Sequence, residues 1–202
     1  MSSVAPTAGR AFATGELDRA GQYRRSVAAA DALTSRLDSG NALQACGMLY
    51  LMASVAAGVR GDHDTSVIHL DEASALAARM DTEVGTWANL WFGPTNVGAW
   101  RTSLALDLGE YGRALEAAKT VHPELLPKRH QAKFWAGVGR ALCAGKKTRH
   151  KGVQVLVHAE HLAPQRIRND VLVRETVAGL LRQAGGRELR GLAHRMGIAP
   201  LE

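Results

Sequence analysis

Aromatic residues and strand-like patterns are scarce in this chain of 202 residues. It contains 3 Phe, 3 Tyr and 4 Trp, and Ala and Leu dominate a hydrophobic fraction of 46%. The alternation of Val, Ile or Thr with polar residues that marks a half-buried strand is missing. The composition therefore argues against a sheet and predicts an all-α fold, large enough for one domain or a short helical array.

Cysteines and targeting segments are also scarce. Cys46 and Cys143 stand in apolar, helix-like contexts, so we expect buried free thiols in a reducing compartment. Met1–Phe12 lacks the apolar stretch of a signal peptide. We take the uncharged run Ala45–Val59 as too short to span a bilayer. We therefore expect a cytoplasmic protein with no membrane partner.

The motifs of common catalytic and cofactor sites do not occur. There is no Gly-rich phosphate loop, His-Glu-x-x-His or Gly-x-Ser-x-Gly. His158 and His161 share a helix face, but such spacing is weak evidence for a metal. Asp71 and Glu72 are adjacent and point to different faces, which does not suit acid–base chemistry. We expect no enzyme, no cofactor and no metal site.

A helix–turn–helix unit recurs along the chain. Gly109–Ala114 has a glycine turn, an aromatic and a small residue opening a second helix, and Gly21–Tyr23, Gly61–His63 and Gly145–Gly152 repeat parts of it. A unit of about 34 residues of this kind is the tetratricopeptide pattern. Each unit leaves an apolar face uncovered, so we predict a right-handed solenoid of antiparallel helix pairs over residues 15–200.

Small residues recur where the helices of a pair should touch. Ser54 and Ser66 take these places in the first predicted unit, and Gly139 and Gly152 in the third. A small residue at one contact and a large one at the next lets neighbouring helices interlock.

Local signals divide the chain further. Residues 1–14 are predicted to be disordered, residues 201–202 resemble a vector scar, and Thr95 is predicted to cap the helix after Gly93-Pro94. The predicted helices run near 22–37, 42–59, 64–79, 82–92, 96–108, 110–120, 128–144, 148–162, 166–183 and 186–196.

Three strings carry a resemblance to a known family. They are Phe92–Val97 with Trp100-Arg101 and Leu104–Gly109, then Leu162–Asn169, then Gly186–Ala193. Together they resemble the C-terminal half of actinobacterial transcriptional regulators of the Xre type. Those proteins join an N-terminal helix-turn-helix domain to a tetratricopeptide-like sensor half. The resemblance covers residues 17–198 and implies regulation of gene expression, with DNA bound only through a domain absent from this chain.

Stacked helix pairs would line a concave groove with one face of each first helix. In the repeat register, its basic end could hold a carboxylate, a phosphate or an acidic peptide through charge-assisted hydrogen bonds. The alternative is that these are solvated surface charges. The candidate groove residues are Asn96, Trp100, Ser103, Lys133, Arg140, Arg168 and Glu175.

Two further features have two interpretations each. Trp87 and Trp91, on one face of the predicted helix 82–92, could wall a ligand pocket or belong to the core. The basic run Lys146–Lys151 could touch a phosphate backbone or form a solvated turn.

Three functional hypotheses follow. The first is a ligand- or peptide-sensing and dimerisation part of a transcriptional regulator, whose partners are a peptide, small molecule or protein in the groove and a second copy in a homodimer. The second is a constitutive scaffold for protein–protein interaction. The third is a direct nucleic-acid binder.

Overall fold

The computed structural model describes residues 39–183 and 186–198, together with Gly21, Arg25, 27–30 and Ala32. Within these residues, nine α-helices follow Ser39: α1 Gly40–Val59, α2 His63–Ala77, α3 Pro94–Asp107, α4 Tyr111–Ala118, α5 Lys128–Ala144, α6 Arg149–Leu162, α7 Pro164–Arg168, α8 Val171–Gln183 and α9 Arg187–Arg195. Two 3-10 turns lie at Trp87–Asn89 and Pro123–Leu125. The predicted segments 1–14 and 201–202, and most of the predicted helix 22–37, lie outside the described residues.

The prediction of an all-α fold is confirmed. Every described element is a helix, and within residues 39–183 and 186–198 there is no strand. The chain divides into two compact units, Met1–Val97 and Gly98–Glu202, and the division falls within α3.

In the first unit, α1 and α2 form an antiparallel pair joined through two serines. The Ser54 hydroxyl donates to the Ser66 carbonyl at 2.8 Å, and the Ser66 hydroxyl donates to the Ser54 carbonyl at 2.7 Å. Such short side chains let the two backbones approach closely. The turn is short because Asp62 caps α2, its carboxylate accepting the Thr65 N–H at 3.1 Å.

The length of α1 corrects one sequence-based expectation. The helix begins at Gly40, capped by the Ser39 hydroxyl, and has 20 residues. By length and composition it could cross a membrane, with a hydropathy of 1.6. The uncharged run extends from Ser39 to Val59, so the expectation that it is too short to span a bilayer was wrong. Half of its 18-residue apolar window is buried within the protein.

In the second unit, α5 and α6 form a pair with a glycine contact. A Cβ added at Gly152 would lie 2.7 Å from the Cys143 nitrogen and 2.9 Å from the Gly139 oxygen. Gly152 and Gly139 thus take the places that Ser66 and Ser54 take in the first unit. Around this pair, a buried cluster joins residues of α5 to α9, among them Leu156, Ile167, Val177 and Leu192.

The predicted helix 166–183 is two helices. α7 ends at Arg168, and Asp170 begins α8 by accepting the Val173 N–H at 3.0 Å. An aspartate competes for backbone donors in this way and therefore favours a cap over a helix interior. Cys46 and Cys143 are both buried free thiols, as the sequence predicts.

Candidate functional site

The segment Glu83–Asn96, which follows α2 and includes the first turn of α3, is here called the strap. It was predicted to be helical over 82–92, and that prediction is wrong. Only Trp87–Asn89 form a 3-10 turn, and Ala88, Asn89 and Trp91 have positive φ angles of 49°, 57° and 56°. Trp87 and Trp91 therefore do not share a helix face. Non-glycine residues in this region of backbone space carry strain, which concentrates at functional sites.

Hydrogen bonds close the strap on itself and onto α1. The Gly85 N–H donates to the Phe92 carbonyl at 2.6 Å. The Trp87 N–H donates to the Gln44 amide oxygen of α1 at 3.1 Å. Near the end of the strap, the Thr95 hydroxyl donates to the Glu83 carboxylate at 3.1 Å. Thr95 thus lies inside the first turn of α3 and ties the two ends of the strap together, whereas the sequence predicted that it precedes the helix as its cap.

Steric contact fixes the strap as firmly as hydrogen bonding does. The fully buried Phe92 ring packs directly on Gly47 of α1, where any Cβ would overlap the ring. A Cβ at Gly85 would in the same way overlap the Gln44 amide. The Phe92–Val97 string is therefore a packing device of the first unit, seated by residues of α1.

The three candidate residues of the strap have different environments. The Asn96 side chain is 6% exposed and its amide donates to the Met48 sulfur at 3.8 Å. Trp91 is half-buried, and Trp87 is 44% exposed. Trp87 is thus the more exposed aromatic side chain of the strap, and the hydrogen bond from its backbone N–H to Gln44 fixes its position.

The other groove candidates belong to the second unit. Trp100 and Ser103 are half-buried on α3, and Glu175 is exposed on α8. Lys133 is exposed and Arg140 half-buried on α5, seven residues apart and so on one helix face. The Arg140 Nε is buried, and no acceptor lies within hydrogen-bond distance of it in the described part of the chain.

Arg168 has an intramolecular partner that the sequence did not reveal. The Glu160 carboxylate on α6 is 1% exposed and accepts from Arg168 Nε at 2.8 Å. It also accepts from Arg195 of α9, through Nε at 3.0 Å and Nη2 at 2.8 Å. These three residues, here called the Glu160 triad, join α6, α7 and α9. The charge of Arg168 is therefore largely committed to Glu160.

Burial and ion pairing act in opposite directions on these groups. Burial would raise the pKa of Glu160, but the hydrogen bonds from Arg195 and Arg168 outweigh it, so the pKa is lowered and the carboxylate stays charged. Burial raises the pKa of Cys143 to about 11 despite the nearby Arg149, which makes this thiol unreactive at neutral pH.

Sequence reasoning missed the residues that build these arrangements. Gln44, Gly47 and Glu83 hold the strap, and Glu160 organises the C-terminal helices. Glu160 is the only acidic residue between Glu124 and Asp170 in a basic stretch of the sequence. That isolation could have indicated an ion pair with nearby arginines, because a buried charge must be paired. Gly47 gave no comparable signal, since one glycine among many small residues does not identify its neighbour.

The comparisons with known proteins give no relative. No family model, no curated protein and no solved structure matches this chain. Within the described residues, no three His, Cys, Asp or Glu side chains are grouped as a metal ion would require.

Proposed function

We propose that this chain is a non-enzymatic sensing and protein-interaction part of a cytoplasmic transcriptional regulator, built from tetratricopeptide-like helix pairs. Its mechanism is a population shift: a small molecule or peptide in the groove stabilises one arrangement of the helix pairs, and dimerisation transmits the change to attached DNA-binding domains.

The strap is the observation that carries the proposal. All but the last residue of the Phe92–Val97 string, one of those that carry the family resemblance, lies in the strap, where Phe92 and Asn96 are buried against α1. Three strained backbone positions and the half-exposed Trp87 lie just before it. Strained backbone of this kind concentrates at switch regions and binding sites, which makes the tip of the strap the candidate for a change of conformation.

Repetition of one contact supports the helix-pair part of the proposal. Ser54 meets Ser66 in the first unit, and Gly139 meets Gly152 in the second. The two pairs have nearly the same spacing along the sequence, as units of one repeat would have.

The face of α5 with Lys133 and Arg140 supports an acidic ligand. The buried Nε of Arg140 is a donor that no described residue uses, and a carboxylate or phosphate would satisfy it. Because Arg168 already binds Glu160, we assign ligand contact to Lys133 and Arg140 and a positioning role to Arg168.

Native and denaturing mass spectra of the purified chain test this proposal. We expect a dimer, an added mass that is lost on denaturation, or both. Lys133→Glu with Arg140→Glu should abolish the added mass, whereas Lys128→Glu with Arg129→Glu, at exposed positions of the same helix, should retain it. A bare monomer would overturn the proposal.

A constitutive scaffold is the alternative. The exposed apolar residues Met52, Val55 and Val59 on α1 favour it, since such a stripe suits a partner helix. It is distinguished by a co-purifying protein mass that small molecules do not displace.

A further inference from the structure

Charge is distributed very unevenly along this chain. Residues 1–127 contain ten Lys and Arg against fourteen Asp and Glu, whereas residues 128–198 contain fifteen against four, a formal net charge of +11. The overall value of +6 conceals this difference. A strongly basic half suggests a polyanionic partner.

The four acidic residues of 128–198 neutralise little of the positive charge on the surface of this segment. Glu160 is buried between Arg168 and Arg195. Asp170 accepts the Val173 N–H at the start of α8. Only Glu175 and Glu188 are exposed, and neither lies near the α5–α6 turn in sequence.

The densest cluster of basic side chains is held on a braced turn. Lys146, Lys147, His150 and Lys151 are all exposed between the end of α5 and the first turn of α6. We call these four residues the basic turn.

Two side chains within this turn fix its shape. The Thr148 hydroxyl donates to the Leu142 carbonyl at 2.7 Å, which pins the turn to α5. Arg149 Nη2 donates to the Gln183 amide oxygen at 3.2 Å, which ties the turn to the end of α8 beside the exposed Arg182. The lysines therefore project from a fixed backbone, so little backbone conformational entropy is lost when they bind a ligand.

The surroundings of the turn favour phosphate over an apolar partner. In the described part of 128–198, the only large hydrophobic residues that are exposed are Val171 and Leu172, at the opposite end of α8 from Gln183. Protein interfaces and membrane-bound helices need apolar anchors. A phosphate backbone needs only cations.

We propose that the basic turn, with Arg182, binds the phosphate backbone of a nucleic acid and does not read its bases. This proposal is independent of the strap and of the α5 face that carries Lys133. Contacts of this kind position a protein on a duplex without sequence preference.

Fluorescence anisotropy with a labelled DNA duplex of about 20 base pairs tests the proposal over about 50 to 200 mM salt. We expect two unrelated duplexes to bind equally, with a steep loss of affinity as salt rises. Lys146→Gln with Lys147→Gln should weaken binding roughly tenfold at low salt and reduce the slope of log K against log salt by about 2.

The control pair is Arg113→Gln with Lys119→Gln. It removes the same charge from two exposed side chains, which pair with the half-buried Glu110 before α4 and the exposed Glu116 on α4. We expect less than a twofold change in affinity, and circular dichroism should show that both double variants retain their helices.

Three results would overturn the proposal. The first is no binding at about 50 mM salt. The second is an equal loss in the control pair, which would make the effect one of net charge. The third is binding to polyglutamate or to anionic lipid vesicles in preference to DNA, which would assign the turn to an acidic protein or a membrane surface.

Discussion

Gly47 and Gly112 are both glycines in helices, yet an added methyl group would meet different surroundings at the two positions. At Gly47 it would overlap the Phe92 ring, whereas at Gly112 nothing lies within 4 Å. We expect Gly47→Ala to lower the free energy of unfolding by about 1–3 kcal/mol, because the buried ring must move.

Gly112→Ala is the matched control for that substitution. We expect it to raise the free energy of unfolding by about 0.5–1 kcal/mol, because alanine restricts the unfolded chain and favours the helix. Urea denaturation followed by circular dichroism measures both. Equal effects at the two positions would show that Phe92 does not rest on Gly47.

Glu160 is the residue at which charge matters most for stability. Glu160→Gln keeps the shape of the side chain but leaves Arg168 and Arg195 facing each other without a carboxylate. We expect a loss of about 1.5–3 kcal/mol at neutral pH, the range for hydrogen bonds to charged groups. Glu175→Gln, on the exposed surface of α8, should change stability by less than about 0.5 kcal/mol.

The pH dependence of that loss is a separate test. The pKa of Glu160 is lowered in the folded protein from its ordinary value of 4.5. Its stabilisation is therefore fully present above 4.5 and is lost as pH falls through the lowered pKa. Denaturant titrations should show the gap between wild type and Glu160→Gln narrowing below pH 4.5. A gap that stays constant down to pH 2 would contradict the ionic role of the triad.

At the scale of elements, the strap is where backbone geometry and residue type disagree. Ala88 has a φ angle of 49°, which glycine adopts without penalty. We expect Ala88→Gly to be neutral or to stabilise the protein by up to about 1 kcal/mol, since relief of strain offsets the greater freedom of the unfolded chain.

Ala45→Gly, within α1, is the comparison for that substitution. It should cost about 1 kcal/mol, as glycine does in an ordinary helix. Thermal or urea unfolding measures both variants. If Ala88→Gly lost as much as Ala45→Gly, the strap would not be strained at this position.

The strap also explains why one element could not be predicted. Trp87, Leu90 and Trp91 have the spacing of a helix face, and that periodicity was the only local signal. The conformation depends on Gln44 and Gly47, about 40 residues earlier, which hold Trp87 and Phe92. By contrast, α5 and α6 were predictable because their apolar spacing and their glycine turn are local.

At the scale of the whole molecule, the fold class could be predicted from the sequence better than the roles of individual site residues. Composition and periodicity predicted the all-α fold, and repeat spacing placed Ser54 and Ser66 at positions for small residues, whereas their contact with each other is seen only in the structure. The roles of Glu160 and Arg168 could not be predicted, because ion pairing across three helices depends on tertiary packing. The charge difference between residues 1–127 and 128–198 was present in the sequence, but an average over the whole chain hides it.

The Glu160 triad has a consequence for the order of events during synthesis. Glu160 precedes both of its partners in the chain, and Arg195 lies 35 residues after it. While the ribosome still holds Arg195, the carboxylate has only the guanidinium of Arg168 within reach and is paired on one side alone. The Glu160 carboxylate can therefore be fully paired only after the last turn of α9 has left the exit tunnel, so α6, α7 and α9 acquire their final packing together.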